Sequence, residues 1–405
     1  MKKFNKFLSV AVASAMVMSM AGCGNTDNGS AATGTNAATE SAAASDSAAS
    51  GSVFKIGGIG PTTGGAAVYG LAVQHGAEIA VEEINAAGGI NGYQVEFKFQ
   101  DDEADAEKSV NAYNALKDWG AQIIDGSTTS GACIAVTDKT KEDNMFQITP
   151  SGSAVECVQY DNNFRVCFSD PNQGLASAQY IGENGLAEKI AVIYDSSDVY
   201  SSGIYEKFAK EAENQPFEIV AAEAFTADNK TDFSVQLQKA KDAGADMVFL
   251  PIYYQESALI LTQAAAMGYA PKWFSCDGMD GILGGVDNFD VSLTEGVMLL
   301  TPFAADATDD LTQSFVTKYK EKYGDIPNQF AADSYDAIYV IKAAIEKSGV
   351  TPDMSVSDIC DGMKAAMTEI TVDGLTGSGM TWTADGEANK APKAVVIENG
   401  AYKAM

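Results

Sequence analysis

From residue 53 onward one pattern repeats along the chain: a short apolar run, then a longer stretch with apolar positions at helical spacing. Residues 53–59 read as a strand ending in Gly-x-Gly. Residues 66–87 read as a helix, with Leu71, Ala72, Ile79, Ala80 and Ile84 at helical spacing and a stop at Gly88-Gly89. Residues 93–99 alternate like a strand and end in Gln100-Asp101-Asp102. A helix at 104–118, a strand at 121–124, a helix at 132–142 and a strand at 145–149 follow, the last ending at Pro150. After Pro171 the rhythm resumes: helices at 172–183, 204–214, 233–243 and 255–267 lead into strands at 190–194, 218–224, 247–251 and 273–275. Beyond Thr301-Pro302 two long helices, 309–323 and 329–347, precede short strands near 379–382 and 394–398. Strands separated by helices of this length predict βαβ units and parallel sheets, an α/β fold. Nine or so strands exceed one comfortable open sheet, so two doubly wound, Rossmann-like lobes are expected.

The first fifty residues follow no such pattern. Lys2, Lys3 and Lys6 precede an apolar run, 7–20, too short to span a bilayer comfortably. Met20-Ala21-Gly22-Cys23 then resembles a bacterial lipobox. The expectation is a lipoprotein signal peptide at 1–22 and lipidation of Cys23. Residues 24–52 are almost wholly Gly, Asn, Thr, Ser and Ala, with Asp27, Glu40 and Asp46 the only charges. Such a segment buries too little apolar surface to offset its ordering entropy, so a flexible tether is expected. Anchor and tether together predict a body held at the extracytoplasmic face of a cell membrane.

Composition narrows the function. The 405 residues carry 26 Lys+Arg against 55 Asp+Glu, a net charge of −29, with one His and six Cys. Removing a signal with three lysines gives −29 − 3 = −32. A nucleic-acid binder needs a basic stripe, and anionic lipid attracts basic patches, so both partners are excluded. High charge of one sign favours a soluble monomer. A single His leaves almost nothing for a zinc site or a Ser–His–Asp triad; His75, inside the first helix, reads as a surface or lobe-packing residue. No enzyme, metal or cofactor is expected. Gly58-Ile59-Gly60 hints at a dinucleotide loop, but Pro61 and the spacing to Gly64 break the motif. Beyond Cys23 stand Cys133, Cys157, Cys167, Cys276 and Cys360, with no CxxC pair. Cys157 and Cys167 flank a turn and could bridge; equally, all five could be small buried hydrophobes.

Ligands of doubly wound sheets bind beyond the carboxyl ends of the strands. The polar loops there include 61–65, 127–131, 151–153, 195–202, 253–256 and 276–278. Two hydroxyl-rich loops leading into helix N-termini suit a carboxylate. Tyr200, Tyr253 and Asp277 suit an ammonium, through cation–π contact and charge pairing. An anion-holding lobe facing a cation-holding lobe describes an α-amino acid; plain N-caps and boundary tyrosines are the competing reading.

Phe54-Lys55-Ile56-Gly57-Gly58, Thr63-Gly64-Gly65, Tyr69-Gly70 and the run from Glu82 to Gly92 (EEINAAGGING) carry a family resemblance, as do Phe164-Arg165, Asp170-Pro171-Asn172-Gln173-Gly174 and Tyr335-Asp336-Ala337. These motifs resemble the type I periplasmic binding proteins, in particular the leucine/isoleucine/valine-binding lipoproteins of ABC importers. The resemblance implies two lobes joined by a three-stranded hinge, an N-terminal lobe of 53–171 and 303–388 and a C-terminal lobe of 172–302 and 389–405. It implies capture of an amino acid, branched-chain or otherwise small and apolar, by hinge closure and delivery to an ABC permease. By motif, Ser130 matches the serine that binds the ligand carboxylate and Ser153 a head-group threonine. Gly152 falls where a backbone carbonyl takes the ammonium, and Asp277 where the family carries Glu. Tyr200 and Tyr253 match second-lobe tyrosines, and Tyr69 an aromatic of the side-chain pocket. Thr129 occupies one cysteine position of the family's first-lobe disulfide. A ligand-sensing lipoprotein, or a binder of another small carboxylate or amide, is the alternative on the same lobes.

Overall fold

The computed structural model describes residues 51–405. The expected signal peptide, Cys23 and nearly all of the tether lie outside the described residues. The first strand, β1 (Phe54–Gly60), is apolar and buried at all but one position, as a central parallel strand must be. It leads into α1 (Ala67–Ala86), β2 (Val95–Asp101), α2 (Ala106–Trp119), β3 (Ile123–Asp125), α3 (Ser130–Asp143), β4 (Phe146–Thr149) and β5 (Asn163–Arg165). These strands form one all-parallel sheet in the order β2-β1-β3-β4-β5.

The chain then builds α4 (Asp170–Glu183), β6 (Lys189–Asp195), α5 (Val199–Ala212), β7 (Glu218–Phe225), α6 (Ser234–Asp242), β8 (Met247–Leu250), α7 (Tyr254–Ala266), β9 (Lys272–Ser275) and β10 (Met298–Thr301). It returns to the first sheet with α8 (Asp310–Tyr323), α9 (Gln329–Ser348) and α10 (Val356–Met367), which pack on α1, on one another and on β4. It ends in the second sheet with β11 (Lys393–Glu398) and β12 (Ala401–Ala404). That sheet runs β12-β11-β10-β9-β8-β6-β7, parallel from β7 to β10 and antiparallel at β11 and β12. The architecture is therefore α/β, with parallel sheets in two lobes.

Three stretches carry the chain between the lobes: after β5, after β10 and before β11. The first and third are stitched together. The Arg165 N–H donates to the Gly386 carbonyl at 3.0 Å, and the Trp382 indole N–H to the Arg165 carbonyl at 2.7 Å. Beside them Lys390 and Asp333 form a fully buried ion pair at 2.6 Å.

Local signals account for most element ends. Asp105, Asp309, Asn328 and Ser355 each accept a backbone N–H as N-caps of α2, α8, α9 and α10. Gly120, Gly324 and Gly349 close α2, α8 and α9 in the left-handed conformation. Helices α1 and α9 approach so closely that a Cβ at Gly76 would sit 2.0 Å from the Ala331 carbonyl oxygen. His75 packs in this region, stacked at 3.6 Å on Tyr323 and 3.1 Å from the Tyr319 hydroxyl.

The sequence pattern misses four elements and overstates one. Strand β5 has three residues, too few to show alternation. The four-residue apolar run of β10 cannot be assigned by periodicity alone. Strand β12 is short and largely exposed, and Gly362 blurs the pattern of α10. The expected strand near 379–382 alternates correctly, with Met380 and Trp382 buried. It makes only single bridges, Val372 to Met380 and Trp382 to Ala388, because no partner strand runs beside it. The Cys157–Cys167 bridge does not form: all five cysteines among the described residues are free and buried.

Candidate functional site

The carboxyl ends of the two sheets face one narrow cleft. The loops after β3 and β4 supply Thr128, Thr129, Ser130, Ser151 and Ser153, and α1 supplies Tyr69. The start of α5 supplies Tyr200, the loops after β8 and β9 supply Tyr253, Asp277 and Gly278, and Phe330 comes from the start of α9. A second groove lies alongside, between residues 154–156, Asp170 and α5, and is more open to solvent. The narrower cleft, with its convergent hydroxyls and rings, is the better ligand site.

One end of the cleft is built for an anion. Thr129 is the N-cap residue of α3, yet no side chain caps the helix, so the first-turn N–H groups and the helix dipole remain for a ligand. The Thr129 hydroxyl is buried without a partner. The Ser130 oxygen accepts the N–H groups of Ser153 and Ala154, both at 3.1 Å, which leaves its own proton to donate.

The other end is acidic. Asp277 accepts the Tyr200 hydroxyl at 2.7 Å, and the same Tyr200 oxygen accepts the Gly278 N–H at 2.9 Å. Burial pushes the Asp277 carboxyl up to about 7, against the lowering effect of Tyr200 and Gln173. Asp198, beside Tyr253, is raised to about 6, mainly by burial and then by Asp195. Asp170, in the first turn of α4, lines the neighbouring groove; it is 1% exposed, and neither carboxylate oxygen has a well-formed hydrogen bond. Burial raises it well above the usual carboxylate range, and the Asp277 charge adds to the shift. A buried carboxylate without a partner calls for a cation.

The walls between are aromatic. Tyr200 and Tyr253 stack at 5.0 Å, Tyr69 meets Tyr253 edge-on at 5.6 Å, and Phe330 lies 4.4 Å from Tyr69. The Tyr69 hydroxyl crosses the cleft, donating to the Gly278 carbonyl and accepting the Tyr254 N–H at 3.3 Å. Close packing around Asp277 requires a glycine next to it, because a Cβ at Gly278 would lie 2.6 Å from the Tyr200 oxygen.

Six of the residues expected from sequence, Tyr69, Ser130, Ser153, Tyr200, Tyr253 and Asp277, therefore line one cleft. Gly152 does not line it. It sits behind the loop, its carbonyl accepting from the Arg165 guanidinium at 3.3 Å. Arg165, fully buried, also donates to the Ser153 and Ala154 carbonyls and so shapes that loop. Cys23 is outside the described residues. Sequence reasoning missed Thr129 and Phe330 as site residues. Thr129 was legible as a hydroxyl opening a helix; Phe330 carries no local signal and reaches the cleft only because α9 returns to the first lobe.

Comparison with known proteins agrees with this geometry. The family model described as periplasmic binding protein matches residues 53–401. Leu/Ile/Val-binding protein homolog 3 of Brucella melitensis is 32% identical over 302 residues, covering 74% of this chain and 80% of that protein. The leucine-, isoleucine-, valine-, threonine- and alanine-binding protein of Pseudomonas aeruginosa is 30% identical over 302 residues, covering 73% and 78%. Among solved structures, the branched-chain amino acid transporter substrate binding protein LivJ of Streptococcus pneumoniae, in complex with isoleucine, superposes with a TM-score of 0.78 at 29% identity, covering 87% of this chain and 98% of that one. A benzoate complex of a Rhodopseudomonas palustris solute binding protein shares the fold at 19% identity, with a TM-score of 0.76 and coverage of 87% and 95%. On these grounds the chain belongs to the type I periplasmic binding proteins, in the family of the Leu/Ile/Val-binding proteins.

Proposed function

We propose that this chain is the extracytoplasmic binding component of an ABC importer, and that it captures a small apolar α-amino acid without chemical change. One observation carries the reading: a single cleft holds an uncapped helix N-terminus with free hydroxyls and, beside it, the buried carboxyl of Asp277 among tyrosine rings. The first groups suit a ligand carboxylate and the second an ammonium. Thr129, Ser130 and Ser153 take the carboxylate end. Asp170 and Asp277 take the ammonium, with Tyr200 orienting Asp277. Tyr69, Tyr253 and Phe330 enclose an apolar side chain.

The lobes are residues 53–171 with 303–388, and 172–302 with 389–405, hinged at the three crossings. Closure over the ligand presents the closed form to a membrane permease. Cys23 carries the lipid anchor, residues 24–52 the tether, and the chain works as a monomer. The organisation of residues 1–52 and the acidic surface support this arrangement. The named ligands of the relatives point to leucine, isoleucine and valine as first candidates.

Titration calorimetry with all α-amino acids, small amides and benzoates tests the reading. Binding of a branched-chain amino acid, strongly weakened in Asp170→Asn and Asp277→Asn without a lower melting temperature, is the expected result. Absence of binding by any α-amino acid refutes it.

A further inference from the structure

Cys133 and Cys157 meet directly behind the cleft. Both are fully buried, and they share a small cluster with Ala154. Cys133 stands one helical turn after Ser130 on α3 and takes a contact from the Gln147 amide at 3.5 Å. Cys157 lies in the 3-10 turn Val155–Val158 and points its thiol at the Ser130 carbonyl, 3.7 Å away. The two thiols interact within this cluster, which lowers Cys133 and raises Cys157; burial opposes the first shift and is the largest cause of the second. Such a pair holds one thiol ready to ionise next to one that stays protonated. The other cysteines have different neighbours: Cys276 meets the Ser177 hydroxyl at 3.6 Å, Cys360 the Asn144 side chain at 3.5 Å, and Cys167 lies near Arg165 and Asp333.

We propose that Cys133 and Cys157 close to a disulfide as the exported chain folds, and that this bridge clamps the cleft loop 151–154 onto the first turn of α3. The proposal rests on the extracytoplasmic setting of the family, where disulfides persist. The oxidant is a small-molecule or protein disulfide. The Cys133 thiolate attacks one of its sulfurs and expels one thiolate. Cys157 gives its proton to the expelled thiolate, and its sulfur then displaces the second thiolate from the mixed disulfide. Two cysteine thiols and one oxidant disulfide become one protein disulfide and two oxidant thiols. The closed loop encloses Ser151, Gly152, Ser153 and Ala154, so the bridge stiffens the segment that holds Ser130 and the head-group end of the cleft.

The test refolds the whole mature chain from denaturant in a glutathione redox couple. Free thiols are then capped with N-ethylmaleimide under denaturing conditions, and the digest is mapped by mass. The expected result is a Cys133–Cys157 cross-linked peptide, with Cys167, Cys276 and Cys360 capped. The oxidised chain should melt about 5 °C above the reduced one. Cys157→Ser should abolish that difference and Cys360→Ser should keep it. Capping at all five cysteines, or Cys157 joined to any other residue, overturns the proposal. Amino-acid titration of the same sample reports separately on the ligand assignment, which does not depend on the bridge.

Discussion

Lowering the pH from about 8 to about 5.5 should weaken ligand binding about thirtyfold. Asp277 is raised to about 7 because burial disfavours its charged form. A ligand ammonium needs that charged form, so binding must first remove the proton. At about pH 8 roughly nine-tenths of Asp277 is ionised, and at about pH 5.5 roughly 3%, a cost near 2 kcal/mol at 1.36 kcal/mol per unit. For Asp277 alone, affinity is level above pH 7 and falls below it with a slope near one. The slope steepens where Asp170, also raised, must ionise too. Titration calorimetry in buffers of different ionisation enthalpy should detect proton release on binding at about pH 6, and none of comparable size at about pH 8. The control, Asp277→Asn, should bind weakly at every pH. Affinity that stays flat from about pH 5.5 to 8, with no released proton, would refute the assignment of Asp277 to the ammonium.

Other outcomes follow from the same geometry. Asp125 is fully buried, bonded only to Ser334 at 2.9 Å, and raised to about 7 by burial. Between the ordinary carboxylate value of 3.8 and about 7 the folded state binds the extra proton, so this group's contribution to stability is present at low pH and is lost as pH rises through that window. Asp125→Asn should therefore raise the melting temperature at about pH 8, from a ceiling of roughly 4 kcal/mol, and change little at about pH 4. Tyr69→Phe removes the hydroxyl that joins Gly278 and Tyr254 across the cleft, and calorimetry should read about a tenfold loss of affinity. Gly278→Ala forces a Cβ against the Tyr200 oxygen, so ligand binding should disappear while circular dichroism stays native. Arg165→Ala leaves the carbonyls of residues 152–154 without their buried donor and should lower the melting temperature sharply, whereas Glu387→Ala, at the half-exposed end of that contact, should not.

The strand–helix rhythm was legible because each element satisfies a local rule: apolar runs for buried parallel strands, helical spacing between them, and glycines or acids at the ends. Tyr69, Ser130, Ser153, Tyr200, Tyr253 and Asp277 were legible because the carboxyl ends of parallel strands can be located from that rhythm alone. What escaped depends on distant sequence. Phe330 meets Tyr69 across more than two hundred residues, and β10 and β12 become strands only through the neighbours they join. Gly152 fell on the right loop, but the direction of its carbonyl is set by Arg165, a residue whose role no motif announces. The cysteines show the same limit. Spacing favoured 157 with 167, while the turn after β4 brings 157 to 133.

The late return of the chain to its first sheet has a consequence for the order in which the molecule can fold. Strands β6 to β10 lie in one unbroken stretch, so the second lobe can gather its parallel core from contacts close in sequence. The first lobe cannot, since one face of α1 is covered only when α9 arrives. Until then Gly76 and Glu83 lack the α9 residues they meet, Ala331 and Tyr335. Assembly through such distant contacts is slow. The helix that seals the first core is thus among the last parts of the chain to be made, and the first lobe stays open until it arrives.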